Sequence, residues 1–318
     1  MATTLTVSLP EYVEQSHDKL LRDAVLGAES AKRFTLQTGV KTKTALNLLN
    51  TEVELQDGSS CGFSANGSTT ISQRTITAPI VKVNMEWCEK QLLNTCLQHN
   101  VRIAAGQKTL PFEQDFIAQV IEQVNLKCEN LIWQGDTSKT SDVNLKWTDG
   151  ILKLLKAQDG ITIETQKLEH EALTLQNVGM AVQDVVLAIP TEVLNTATIY
   201  MGYDTYRLWV MSWQIANMFH FDGGNLNVNL NVYPGSQIPV KPVPGLNGTS
   251  EIVCGVDSNF YYGTDLQGDE ERFDFWYSKD DQKFKLAIEF AIGTQIAFPN
   301  RVVISSLASS SSSSSSSE

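Results

Sequence analysis

Phe112-Glu113-Gln114-Asp115-Phe116-Ile117-Ala118-Gln119-Val120-Ile121-Glu122-Gln123-Val124-Asn125-Leu126-Lys127-Cys128-Glu129-Asn130-Leu131-Ile132-Trp133-Gln134-Gly135-Asp136 is the most regular stretch of this chain. Phe112, Phe116, Ile117, Val120, Ile121, Val124, Cys128 and Leu131 recur at steps of three and four, the spacing of one helix face. Pro111 suits a first turn, and Glu113 and Asp115 suit the positive end of the helix dipole. From Phe112 to Ile132 this predicts a straight helix about 30 Å long, at ~1.5 Å per residue. Gly135 stops it. A polar loop, 136–148, follows, and Gly150-Ile151-Leu152-Lys153-Leu154-Leu155 opens a new segment.

Working outward to the N-terminus, Trp87–Leu97 reads as a short helix with Leu92, Leu93 and Cys96 on one side. Before it, Thr51–Gln56 reads as a strand, and Asp57-Gly58-Ser59-Ser60-Cys61-Gly62-Phe63-Ser64-Ala65-Asn66-Gly67-Ser68 as turn chemistry. Thr69–Met85 returns as a long extended run rich in Thr, Ile and Val. The outer part of this hairpin is too polar to build a core, and an isolated hairpin is marginal in water. It is therefore expected to lie on something else, such as another subunit. Residues 1–48 read as a polar arm. Its apolar patches, Leu20, Leu21, Ala24, Val25 and Ala28 at helical spacing and then Ala45, Leu46, Leu48 and Leu49, are too small to fold alone.

Toward the C-terminus, Val178–Ala188 reads as an apolar helix closed by Pro190. Thr198-Ile199-Tyr200-Met201 is a short buried strand feeding a helix from Tyr203 to Phe219, with Leu208, Trp209, Met211 and Ile215 inside. The alternation suggests an α/β subdomain. Residues 225–248 are extended and hold Pro234, Pro239, Pro242 and Pro244. Glu251–Tyr262 and Lys283–Ile304 read as strands, and Ala308–Ser317 is a low-complexity serine tract.

Composition excludes several functions. The 318 residues are 42% hydrophobic and 19% charged, enough for a sizeable core. The net charge of -12, without a Lys/Arg cluster, argues against tight binding to nucleic-acid phosphates. An acidic balance instead keeps a crowded protein soluble and a wall from sticking to nucleic acid beside it. Cys61, Cys88, Cys96, Cys128 and Cys254 match no zinc module and read as reduced thiols. There is no signal peptide and no apolar span for a membrane. The sequons Asn66-Gly67-Ser68 and Asn247-Gly248-Thr249 read as Asn-Gly turns.

No catalytic, cofactor or metal site is expected. Gly106-Gln107-Lys108-Thr109 lacks the glycines of a phosphate loop and reads as a turn. His17, His99, His170 and His220 are scattered, with no second histidine at metal-ligand spacing. Asp257, Asp265, Asp269, Glu270, Glu271 and Asp274 could attract calcium, but match no EF-hand loop and read as a solvated loop. Ser59 and Ser60 lack a nucleophile elbow. Trp209, Trp213 and Phe219 at helical spacing read as core rather than a base-stacking platform.

The order of these parts, from about residue 12 to 307, resembles the Hong Kong 97 fold of tailed-phage major capsid proteins. The hairpin 51–85 is similar to that family's extended loop, and the helix 112–132 to its spine helix. Leu131-Ile132-Trp133-Gln134-Gly135-Asp136, then a polar loop, then Asp149-Gly150-Ile151-Leu152 is similar to its most recognisable local succession. Thr198-Ile199-Tyr200-Met201 with the helix after it resembles its axial domain. Phe284–Ile304 resembles its final return to the peripheral domain.

The resemblance implies an α+β chain divided into an N-terminal arm (1–50), extended loop (51–85), peripheral domain (86–150), axial domain (151–288), return segment (289–307) and flexible Ser-rich tail (308–318). It implies a non-enzymatic protein, assembled in the bacterial cytoplasm, whose copies form hexamers and pentamers of an icosahedral virion shell around double-stranded DNA. The DNA would be held without sequence-specific binding. Portal, scaffolding and decoration proteins are the implied partners. An encapsulin-like compartment shares the fold, and genome neighbours would separate it: a terminase and portal, or a cargo enzyme. An α/β enzyme or surface-binding module is the alternative of a different class.

Two departures from the family pattern stand out. The chain reaches the hairpin after about 50 residues, so scaffolding is expected to be a separate protein unless the N-terminus has been trimmed. No Lys lies between Lys43 and Lys82, so the hairpin tip lacks the amine that some members use for an isopeptide crosslink.

Overall fold

The structure is a computed structural model. It describes residues 2–57, 66–92, 94–96, 112–157, 166–217, 231–233, 236–265 and 272–308. Helix α1 (Ala2–Leu26) is followed by strands β1 (Thr35–Gln37), β2 (Thr42–Glu52), β3 (Ser68–Ala78) and β4 (Ile80–Cys88). The long helix α2 (Phe112–Gln134) comes next, then the short α3 (Ile151–Lys156) and β5 (Gln166–His170). Helix α4 (Val178–Ala188), β6 (Ala197–Met201), α5 (Tyr203–Asn217) and β7 (Val240–Pro242) form the middle. Strands β8 (Ile252–Val256), β9 (Phe260–Gly263), β10 (Arg272–Ser278), β11 (Lys283–Ala291), β12 (Gly293–Ile296) and β13 (Val303–Leu307) complete it.

Two sheets organise the body. In the first, β11 lies between β10 and β4, antiparallel to both. Phe273, Phe275, Phe284, Leu286, Ile288 and Phe290 share one buried cluster with Ile117, Val120, Ile121 and Val124 of α2. Period-2 burial along β10 and β11 thus meets the period-3.6 stripe of the long helix. The second sheet runs β5-β13-β8-β6-β7. All five residues of β6 are buried, and α4 packs on this sheet through Val178, Ala181, Val182 and Val185. A small sheet runs β1-β9-β12, and β2-β3 form a separate hairpin.

Several sequence expectations are corrected. Residues 1–48 do not lack a partner: α1 packs on α2 and β10, burying Val13, Leu20, Ala24 and Val25 in the main core. The hairpin's first strand begins at Thr42 rather than Thr51 and ends at Glu52. The run Thr69–Met85 is two strands in different sheets, parted at Pro79, which has no N–H for a ladder. Trp87 and Cys88 still belong to β4; residues 89–92 and 94–96 are helical, while Leu93 and Leu97 lie outside the described residues. Glu251–Tyr262 is broken by a 3-10 turn at Asp257–Asn259. Lys283–Ile304 is three strands, and β13 of the 289–307 segment joins the five-stranded sheet. Met211 and Ile215 of α5 are exposed, whereas Trp209 is fully buried. Phe219, residues 225–230 and the serines 309–317 lie outside the described residues. Asn247-Gly248 lies in a turn as expected, with φ of 74° at Gly248; Gly67 has φ of 106° just before β3, and residues 58–65 before that pair lie outside the described residues.

Candidate assembly surfaces

The hairpin divides into two halves. Near the body, Leu46, Leu48, Ile76 and Ala78 are buried with Val40 and Ala291 in a small cluster. Beyond Leu48 every described side chain on both strands is exposed as far as Gln73. The pairing nevertheless continues, from Thr42↔Ala78 out to Glu52↔Ser68. Leu49 and Ile71 are exposed there, and past the last pair Val53 is 77% and Leu55 99% exposed. Four apolar side chains on a segment with no core are what an isolated monomer avoids and a contact surface uses. The tip with Ser59, Ser60 and Cys61 lies outside the described residues.

The body that carries this hairpin is braced at the long helix. Glu129, 1% exposed, accepts the Ser30 backbone N–H at 2.9 Å and the Ser30 hydroxyl. Trp133 Nε1–H donates to Ser30 Oγ at 2.7 Å and to Glu129 Oε1 at 3.2 Å. Burial raises the Glu129 carboxyl above its ordinary range, and the Ser30 and Trp133 hydrogen bonds pull part of the way back. Tyr262 Oη–H donates to the Val25 carbonyl at 2.9 Å, a second tie between the N-terminal segment and the body.

The Gly-Asp, polar loop, Gly-Ile-Leu succession acquires a physical reason. Gly150 N–H donates to the Gly135 carbonyl at 2.8 Å, closing the loop at its base. Lys153 on α3 reaches Asp136 at 2.8 Å, Asp149 at 2.7 Å and the Thr137 hydroxyl at 3.0 Å. Lys153 and then Ser138 hold the Asp136 carboxyl well below its usual range. Partial burial pushes Asp149 up, but Lys153 and Thr137 outweigh it and the net shift is down. Sequence reading found the succession but missed that its two aspartates clamp one lysine.

The remaining candidates are dispersed. His17 Nε2 accepts the Phe273 N–H at 3.3 Å, and His170 Nδ1–H donates to the Glu171 carbonyl at 2.8 Å, on different elements. Asp257 accepts the Tyr200 hydroxyl at 2.7 Å, Asp265 is buried, and Asp274 lies on β10. Among the described residues no three His, Cys, Asp or Glu side chains are grouped to hold a metal, and no helix is long and apolar enough to cross a membrane. Residues 106–109, His99, His220, Asp269, Glu270 and Glu271 lie outside them. Trp209 and Trp213 meet edge to face at 6.5 Å, with Trp209 in the core.

No protein-family model matches the sequence, and no curated protein matches it significantly. Solved structures do match in shape. The satellite phage P4 procapsid chain aligns with TM-score 0.61 at 8% identity, over 91% of this chain and 89% of its own. The Gordonia phage Cozz chain gives 0.57 at 10% identity, over 88% and 86%. The capsid of an empty GTA particle gives 0.56 at 13% identity, over 90% of each chain. An arm-braced spine helix, a projecting hairpin and two sheets in the order seen here give this chain the Hong Kong 97-like fold of phage major capsid proteins.

Proposed function

We propose that this chain is a major capsid protein, without catalytic activity, whose copies associate as hexamers and pentamers into an icosahedral virion shell enclosing double-stranded DNA. The observation that carries the reading is the outer half of the hairpin, with Val53 77% and Leu55 99% exposed on a segment that has no core of its own. Repetition of one such contact by symmetry closes a container.

In this reading β2–β3 is the extended loop, and α2 with β10, β11 and β4 is the peripheral domain. The five-stranded sheet with α4 and α5 is the axial domain, and residues 308–318 are a tail. The acidic chain lines DNA without gripping it. Portal, scaffolding and decoration proteins are the further partners proposed.

Electron microscopy of the purified, concentrated protein tests the reading. Closed hollow particles or rings are expected; compact monomers at every concentration would sink it. An ultraviolet spectrum of particles purified from infected cells then separates nucleic-acid contents from a protein cargo.

A further inference from the structure

The chain holds two Asn-Gly pairs, Asn66-Gly67 and Asn247-Gly248, and all four residues are exposed. An asparagine followed by glycine carries both reactants of a ring closure. The glycine nitrogen lies within reach of the asparagine side-chain carbonyl carbon, and with no Cβ the glycine does not hinder the approach. Solvent reaches both pairs, so what separates them is how firmly each is held.

Asn247-Gly248 is tied at each reacting group. Asn247 Oδ1 accepts the Tyr203 N–H at 2.6 Å. The Gly248 N–H donates to Asp204 Oδ2 at 2.8 Å. The Asn247 N–H donates to the Pro244 carbonyl at 3.1 Å, and the Asn247 carbonyl accepts Gln134 Nε2–H at 3.4 Å. Swinging the side chain onto the Gly248 nitrogen breaks the first of these bonds. Removing the Gly248 proton breaks the second and puts a negative charge beside a carboxylate, which opposes it.

Asn66-Gly67 has no such ties. Gly67 stands one residue before β3, just beyond the last ladder pair, Glu52↔Ser68. Among the described residues no hydrogen bond holds the Gly67 N–H or the Asn66 side chain.

We propose that Asn66 is a self-modification site, converted to a carboxylate through attack by the Gly67 nitrogen, and that Tyr203 and Asp204 hold Asn247 inert. The Gly67 nitrogen gives its proton to solvent and bonds to Asn66 Cγ. The Cγ–Nδ2 bond breaks, and the side-chain nitrogen takes up a proton and leaves as ammonia. Water then opens the five-membered imide at either carbonyl. One opening leaves aspartate; the other leaves an isoaspartyl link, whose backbone is one methylene longer. Nothing is oxidised or reduced. Each event adds one negative charge to a hairpin end that already carries Glu52, Glu54 and Asp57, so the segment records the age of the chain.

Timed peptide mapping tests it. The purified chain, held dilute so that copies stay apart, is incubated at mildly alkaline pH, digested and analysed by mass spectrometry. The Asn66 peptide is expected to convert about tenfold or more faster than the Asn247 peptide, which must first break two hydrogen bonds, one of them to a charged group. It should give two products of equal mass, aspartyl and isoaspartyl. In urea the two rates should converge, because the ties at Asn247 are gone. Asp204→Ala, with circular dichroism unchanged, should speed Asn247 and leave the Asn66 rate as it was. An Asn66 peptide that stays intact, equal rates in the folded protein, a difference that persists in urea, or an Asn247 rate indifferent to Asp204 would overturn the proposal.

Discussion

The Ser30 amide donates to the Glu129 carboxylate at 2.9 Å across 99 residues of sequence, tying the N-terminal segment to the C-terminal part of the long helix. Among the described residues no cation forms an ion pair with the carboxylate; its acceptors are filled by the Ser30 N–H, the Ser30 hydroxyl and Trp133 Nε1–H. Glu129→Leu leaves those donors buried without an acceptor and is expected to destabilise the protein by roughly 3 kcal/mol, at ~1–3 kcal/mol per orphaned group. Glu129→Gln keeps a carbonyl oxygen and should lose less. Urea midpoints of the two variants check the order: equal stability of Glu129→Leu and the parent would show that the network contributes nothing.

The same residue gives a pH dependence of definite sign. Its carboxyl is raised from 4.5 in the folded state, so the folded protein holds that proton more tightly than the unfolded chain does. The contribution to stability is therefore full below about 4.5 and is lost as pH rises through the raised value. Asp136 and Asp149 work the other way. Their folded values are lowered from 3.8, so what Lys153 gives them is present above that pH and fades as pH falls through the lowered values. Comparing the parent with Glu129→Gln from pH 4 to 8 should show the variant losing less stability as pH rises. Comparing it with Lys153→Met below pH 4 should show the two curves converging.

These sites also show where sequence reading stops. The long helix was legible because its apolar residues keep helical spacing for six turns' worth of contacts and Gly135 ends it. The alternation in β11 was legible for the same reason at period two. The first hairpin strand was placed nine residues late because Ala45-Leu46-Asn47-Leu48-Leu49 alternates only in part, and its burial depends on Val40 and Ala291 from elsewhere. Strand β10 was hidden because Asp274 and the acids before it look solvated, while Phe273 and Phe275 are buried against distant elements. Glu129 was invisible as an anchor: a glutamate in a helix is ordinarily solvated, and only the fold brings Ser30 to it.

Helix α2 is approached closely by Gly245, in the 3-10 turn Pro244–Leu246. A Cβ there would stand 2.3 Å from Trp133 Cδ1 and 2.5 Å from the Glu129 carbonyl oxygen, too near for either to remain in place. Gly245→Ala should therefore destabilise by about 1–3 kcal/mol through overpacking. Gly179→Ala, where nothing lies within 4 Å of the added carbon, is the control and should be neutral or slightly stabilising because it lies in α4. Thermal melts of the pair check this; equal losses would mean that the turn gives way freely.

Cys128 and Cys254 are fully enclosed, and burial pushes both thiols up to about 12. A thiol reagent attacks the thiolate, so both should stay unlabelled in the folded protein at neutral pH and react once urea unfolds it. Mass spectrometry after a timed reaction distinguishes them from the partly exposed Cys88 and Cys96, which should label first. Prompt labelling of Cys128 would mean that α2 separates from the sheet beneath it.

An isopeptide bond from a lysine at the hairpin's end has no amine available to it. An isopeptide bond needs a lysine amine, and the sequence offers none between Lys43 and Lys82. Those two residues stand at the root of the hairpin and in β4, not at its end. Particles of this protein should come apart wholly in hot detergent and run as a single band of 35.2 kDa. A ladder of higher bands, with a crosslinked peptide from residues 44–81 in its digest, would contradict this. Its absence, together with loss of particles when Leu55→Asp is introduced, would assign cohesion at the hairpin to burial of its exposed apolar side chains.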